Sequence, residues 1–340
     1  MKKFCFCNSR FQVVVFFQCV LLVVFSIGAN AKSLYTTYAD HISTSDDFDL
    51  MSYGFQYRNN QRSFFWPYRE ELQSTIDKGI NFDVFDGDST SIDFSGRRIV
   101  GLLGHRFSGG SYFSVSLGAN QISTTAKFVE PGGDRRNHEE QFVVGMSSRI
   151  VLNRQLEVYG DFLRDYVYQL GVQPSTVNDF HHANMGTVGV DFKPVDDFRV
   201  SWQTSIWKLS DSNMRRQHNL ALMYGISIGQ PWIWAGIKAS VLHYDDAAPG
   251  YWSPDRSETI GAAFEGSFPV IPGLSASISA SVDWLKENGE SGDGSSLFAG
   301  ADWALKEHYT LRIGYSRMVS TQDGSDWRQN GIGLSLNGQF

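Results

Sequence analysis

Residues 274–284 read Leu-Ser-Ala-Ser-Ile-Ser-Ala-Ser-Val-Asp-Trp, a strict alternation. Leu274, Ala276, Ile278, Ala280, Val282 and Trp284 share one parity, while Ser275, Ser277, Ser279, Ser281 and Asp283 share the other. Successive side chains of a strand point to opposite faces, so this segment is a ribbon with one apolar face and one hydroxyl-rich face. A helix would scatter both sets around its circumference. The pattern recurs in Phe198, Val200, Trp202 and Ile206 against Arg199, Ser201, Gln203 and Ser205. It recurs again in Leu220, Leu222, Tyr224, Ile226 and Ile228 against Asn219, Ala221, Gly225 and Ser227.

A soluble sandwich would alternate in the same way with its apolar faces turned inward. Three features favour a membrane. The polar parity carries Ser, Gly, Asn and isolated charges, which suits a wet lumen. Trp202, Trp207, Trp232, Trp234, Trp284, Trp303, Tyr309 and Tyr315 gather near strand ends, as an interfacial girdle requires. Connection lengths also alternate, as they do when one side is periplasmic and the other extracellular.

The short connections fall near residues 108–110, 153–154, 194–197, 230–231, 270–273 and 306–307, the periplasmic candidates. Long polar ones fall near residues 128–140, 169–183, 210–217, 245–256, 287–295 and 320–328, expected outside. Between them lie segments near the ~9 to 11 residues of a tilted membrane strand. Residues 34–42, 48–57, 64–76 and 92–106 supply four more. The expected fold is therefore all-β, a transmembrane antiparallel barrel of about sixteen strands over residues 32–340. Fourteen is the alternative, because residues 64–76 alternate poorly and Glu70 and Glu71 would be costly against lipid.

The front of the chain reads as a signal peptide over residues 1–31. Lys2, Lys3 and Arg10 precede an apolar run, which closes on Ala29-Asn30-Ala31. A retained anchor helix is the alternative reading of this run. All three cysteines, Cys5, Cys7 and Cys19, lie in this segment, so the chain beyond it has no disulfide or cysteine-based site. Removing the three basic residues leaves 26 Lys and Arg against 36 Asp and Glu, a formal charge of −10. Nucleic acid is excluded as a partner, since phosphate binding needs a basic surface.

At the other end, residues 330–340 read NGIGLSLNGQF. Ile332, Leu334, Leu336 and Phe340 hold one parity, so the chain ends inside a strand. This tail resembles the closing strand that outer-membrane barrels present to the β-barrel assembly machinery, with Leu336 and Phe340 as the signal. It departs at Gly338, where a larger residue is usual. The resemblance implies insertion in the bacterial outer membrane, against lipids and lipopolysaccharide.

No catalytic, cofactor-binding or metal-binding constellation emerges. Asp179, His181 and His182, like His243, Asp245 and Asp246, read as polar loop residues. The lumen parity is more informative. It holds Glu157, Tyr159, Asp161, Glu265, Asp283 and Asp302 together with Arg149, Arg199, Lys238 and Arg312. Mixed charges and aromatics can hydrogen-bond hydroxyl-rich chains and stack on sugar faces.

At a loop-to-strand junction stands Gly250-Tyr251-Trp252-Ser253-Pro254-Asp255-Arg256. It resembles the aromatic-aromatic-Ser-Pro element in the barrel of outer-membrane exopolysaccharide exporters, the cellulose-secretion type among them. That resemblance implies a sixteen-stranded barrel, export of a polysaccharide past Tyr251 and Trp252, and a periplasmic tetratricopeptide scaffold. The barrel is read as starting soon after the expected cleavage site, a departure from that family: either a separate periplasmic protein supplies the scaffold, or this is a related barrel with another job. The expectation is a non-enzymatic export channel. A general or substrate-specific porin, and a receptor or adhesion barrel acting through its loops, are the alternatives.

Overall fold

The computed structural model describes residues 33–45, 47–59, 75–88, 92–126, 136–166, 182–248, 252–322 and 325–339. The signal-peptide reading of residues 1–31 lies outside them, as do Tyr251 and Phe340. Sixteen strands follow one another: β1 (Ser33–Thr44), β2 (Asp49–Asn59), β3 (Thr75–Asp88), β4 (Ile92–Arg106), β5 (Tyr112–Ala126), β6 (Arg136–Val151), β7 (Leu156–Tyr166) and β8 (His182–Val195). They continue as β9 (Phe198–Leu209), β10 (Met214–Ser227), β11 (Trp232–Tyr244), β12 (Arg256–Ile271), β13 (Leu274–Glu287), β14 (Glu290–Lys306), β15 (Tyr309–Gln322) and β16 (Ser325–Gln339). Each pairs antiparallel with its chain neighbours, and β1 pairs with β16 from Leu34↔Gln339 to Thr44↔Gln329. The sheet is therefore a closed meander with no free edge, which satisfies every ladder inside a bilayer.

The alternation read from the sequence sets the two faces. Val282 is 71% exposed, and Leu117, Phe142, Ile237, Ile313 and Ile332 are exposed on the same outward parity. Serines, glycines and charges turn inward. A closed barrel with an apolar outer face and a polar inner one is a bacterial outer-membrane barrel.

Two expectations about strands need correction. The third strand is Thr75–Asp88 rather than residues 64–76, most of which lie outside the described residues. Ile76, Ile80, Phe82 and Val84 face out while Asp77, Asn81, Asp83 and Phe85 face in. The other correction concerns the extracellular connections. Residues 210–213 and 288–289 are tight turns, because strands continue through what reads as long polar loop. Asn288 (φ 50°) and Gly289 (φ 96°) form a two-residue turn between paired Glu287 and Glu290, as Asn-Gly hairpins do. Polar residues there belong to strands of 14 and 17 residues that rise beyond the membrane.

Both ends of the strand run, before β1 and after β16, lie at the end where every connection except that of residues 60–74 is short, the periplasmic side. Ladder irregularities cluster there too, at Phe192/Val195, Gly225/Ser227, Pro269/Ile271 and Ala304/Lys306. Such bulges re-aim strand ends at a barrel rim.

The inner face is not uniform. At the extracellular end two apolar clusters face inward, Phe85, Ile92, Phe94, Ile122 and Tyr166 on one side and Ala183, Leu209, Leu242 and Tyr244 on another. A third, Met223, Trp234 and Ala263, sits toward the periplasm. From β13 to β16, by contrast, serine and glycine are the commonest residues of the inner wall.

Candidate functional site

The lumen wall is built from the inward residue of every second position, so side chains far apart in sequence meet wherever the wall curves. Glu265 on β12 accepts from Lys238 Nζ on β11 at 2.9 Å and from Arg199 Nη2 on β9 at 3.1 Å. The Arg199 guanidinium also lies 5.5 Å from the centroid of the Trp234 ring. One carboxylate thus bridges two cations of the lumen wall and leaves the cluster a net positive charge, while an aromatic face holds one of the cations in place.

The other residues read from the sequence also turn inward. Arg312 meets Asp302 through two hydrogen bonds, at 2.5 and 3.0 Å. Arg149 is 2.7 Å from Glu157. Asp161 accepts from the Ser147 hydroxyl. Asp283 accepts from Ser281 at 2.7 Å, and Ser281 lies 2.8 Å from Ser296 Oγ. Tyr159 lays its ring over Gly189, where a Cβ would collide with it. These groups do not form one site. They are distributed around the wall, each carboxylate held by a cation or a hydroxyl.

A larger assembly involves residues that the sequence reading did not single out. Arg98 on β4 lies 3.2 Å from Asp83 Oδ2 on β3 and 2.9 Å from Asp165 Oδ2 on β7. Asn120 on β5 donates to Asp165 at 2.8 Å, Asn81 donates to Asp83 at 3.1 Å, and Tyr38 on β1 donates to Asp83. Asp83 and Asp165 are only 10% and 7% exposed, so the guanidinium between them offsets two costly burials. The signal was available: with the third strand framed as residues 75–88, Asp83 falls on the lumen parity.

The aromatic girdle is likewise narrower than the sequence suggests. Trp202, Trp284 and Trp303 are exposed on the outward face. Trp207, Trp232 and Trp234 turn inward instead, Trp207 lying 3.9 Å from the Arg215 guanidinium. Their parity alone predicts this, since Trp207 alternates with outward Ile206. A buried cation needs an aromatic or acidic partner, and here indoles serve.

At the mouth, Trp252 Nε1 reaches both oxygens of Glu287, at 3.1 and 3.2 Å, while the Ser253 hydroxyl accepts from Ala248 N at 2.6 Å. The aromatic element is thereby tied to the top of β13. Asp245 is engaged by Arg216 at 2.5 Å, and His243 faces Asp255. These are rim contacts on the outer surface. Asp179 and His181 lie outside the described residues.

No family model and no curated protein matches this chain. Solved structures do. A bacterial polysaccharide outer membrane secretin matches at 12% identity with a TM-score of 0.68, over 92% of this chain and 100% of that one. CdiB from Acinetobacter baumannii matches at 12% identity with a TM-score of 0.50, over 92% of this chain and 61% of that one. The outer membrane channel DcaP of Acinetobacter baumannii matches at 11% identity with a TM-score of 0.41, over 92% of this chain and 96% of that one. At these identities the likeness is one of fold.

Proposed function

We propose that this barrel is a non-enzymatic outer-membrane channel that exports a polysaccharide to the cell surface. The observation that carries the reading is the inner wall from β13 to β16, where serine and glycine form a hydrated surface. On it Arg312 pairs with Asp302, and Asp283 is held by the Ser281 hydroxyl. Such a wall offers hydroxyl hydrogen bonds without strong attachment, which suits a chain that must keep moving. The fit over the whole length of a polysaccharide secretin barrel supports this assignment.

In this reading, Glu157, Tyr159, Asp161, Arg199, Lys238, Glu265, Asp283, Asp302 and Arg312 contact the polymer in transit. Tyr251 and Trp252 meet it at the mouth. A separate periplasmic tetratricopeptide protein delivers the chain, and the assembly machinery inserts the barrel through its closing strand with Leu336 and Phe340. A porin for uptake is the second reading, favoured by the Arg199–Glu265–Lys238 cluster as an ion-selective element.

Deleting the gene should abolish surface polysaccharide while the polymer accumulates in the periplasm. Unaltered secretion, combined with impaired uptake of small solutes, would favour the porin. Neighbouring genes for a membrane glycosyltransferase and a tetratricopeptide protein would support export.

A further inference from the structure

In the regular ladders, away from the bulged periplasmic rim, the large apolar side chains that stay exposed lie on the outward face, with two exceptions among the described residues. Phe298 on β14 is 42% exposed and Met318 on β15 is 47% exposed, and both carry the lumen parity. Phe298 stands opposite Ser279 on β13 and Ser316 on β15, on the same face as Asp302 and Arg312. Met318 stands opposite Ser296, two positions along the same ladder from Ser316.

Two glycines seat the Phe298 ring. A Cβ at Gly300 would lie 3.1 Å from its Cε1 and Cζ, and one at Gly314 would lie 3.3 Å from its Cε2. The ring therefore leans over the bare backbone of its own strand and the next, leaving one face to the lumen. What sets this ring apart is its place on the water-facing wall, flat against bare backbone and bordered by hydroxyls.

The surroundings define what fits. The patch is one ring wide, and serine hydroxyls border it on both neighbouring strands. The Arg312–Asp302 pair lies on the same face two positions toward the periplasm. A pyranose has the complementary layout, an apolar face of C–H groups edged by hydroxyls. A small ion has no such face.

We propose that Phe298, seated on Gly300 and Gly314 with Met318 beside it, is a stacking platform for one pyranose ring of the polymer in transit. This rests on the polysaccharide reading above and adds the contact that guides the chain along the β13–β16 side of the lumen.

The test uses the full barrel in a planar bilayer, with cellohexaose and maltohexaose as blocking probes and a polyethylene glycol of matched contour length as a control without pyranose rings. In Phe298→Ser the saccharide blockades should shorten roughly three- to tenfold, the loss of one aromatic contact, with the glycol unaffected. Phe298→Tyr should keep wild-type dwell times. Unchanged saccharide dwell in Phe298→Ser would overturn the platform and leave the channel reading intact. Equal shortening for the glycol would reduce the patch to a nonspecific apolar contact and also overturn it. A conducting wild type that neither saccharide blocks would overturn the platform together with the polysaccharide reading.

Discussion

Arg98 Nε on β4 lies 2.9 Å from Asp165 Oδ2 on β7, although the two strands are three ladders apart in the wall. Neighbouring strands are spaced ~4.8 Å, so the pair spans about 14 Å of wall and closes only because the wall curves. With Asp83, Asn120 and Tyr38, it ties β1, β3, β4, β5 and β7 together from the lumen side.

Replacing Arg98 by Ala should destabilise the barrel by about 3 kcal/mol, because it strands two buried carboxylates. The check is the urea midpoint of the folded barrel in detergent. Adding Asp83→Asn and Asp165→Asn to that variant should recover part of the loss. A midpoint for the single variant equal to wild type would mean that water already screens the pair.

Val282→Arg, near the middle of β13 on the lipid face, should cost about 2–4 kcal/mol and lower the yield of folded barrel. Ser279→Arg, three residues earlier on the lumen face, should fold normally. Equal behaviour of the two variants in a heat-modifiability gel would contradict the assignment of faces.

Glu265→Gln leaves Arg199 and Lys238 without their carboxylate. The channel should then become more anion-selective, read as a shift of reversal potential across a potassium chloride gradient toward that of chloride. An unmoved potential would place this cluster off the conducting path.

Gly289→Ala puts a Cβ at φ 96° in the β13–β14 turn and should cost roughly 1–2 kcal/mol. The conducting path lies below that turn, so single-channel conductance should stay at the wild-type value. A changed conductance would show that the turn shapes the lumen.

Much of the architecture is legible in local alternation. The stretch from Leu274 to Trp284 gives a strand, its two faces and which of them meets lipid, because the period of two is a property of each strand alone. Strand number also follows, though β3 escapes: residues 64–76 are rich in aromatics and draw the eye, whereas residues 75–88 hide their alternation behind acidic residues. The Asn288-Gly289 turn carries a readable hairpin signature inside a stretch that looks like a long loop. Trp207 and Trp234 lose their girdle role on parity alone, since each alternates with outward-facing neighbours.

The sequence by itself determined most of the strands, their faces and the membrane they cross, because burial in lipid imposes its pattern residue by residue. Only the tertiary structure decided which inward side chains meet. Arg98 finds Asp165, Arg199 finds Glu265, and Phe298 lies on Gly314, because closure and curvature of the sheet bring together groups whose separation along the chain carries no mark of contact.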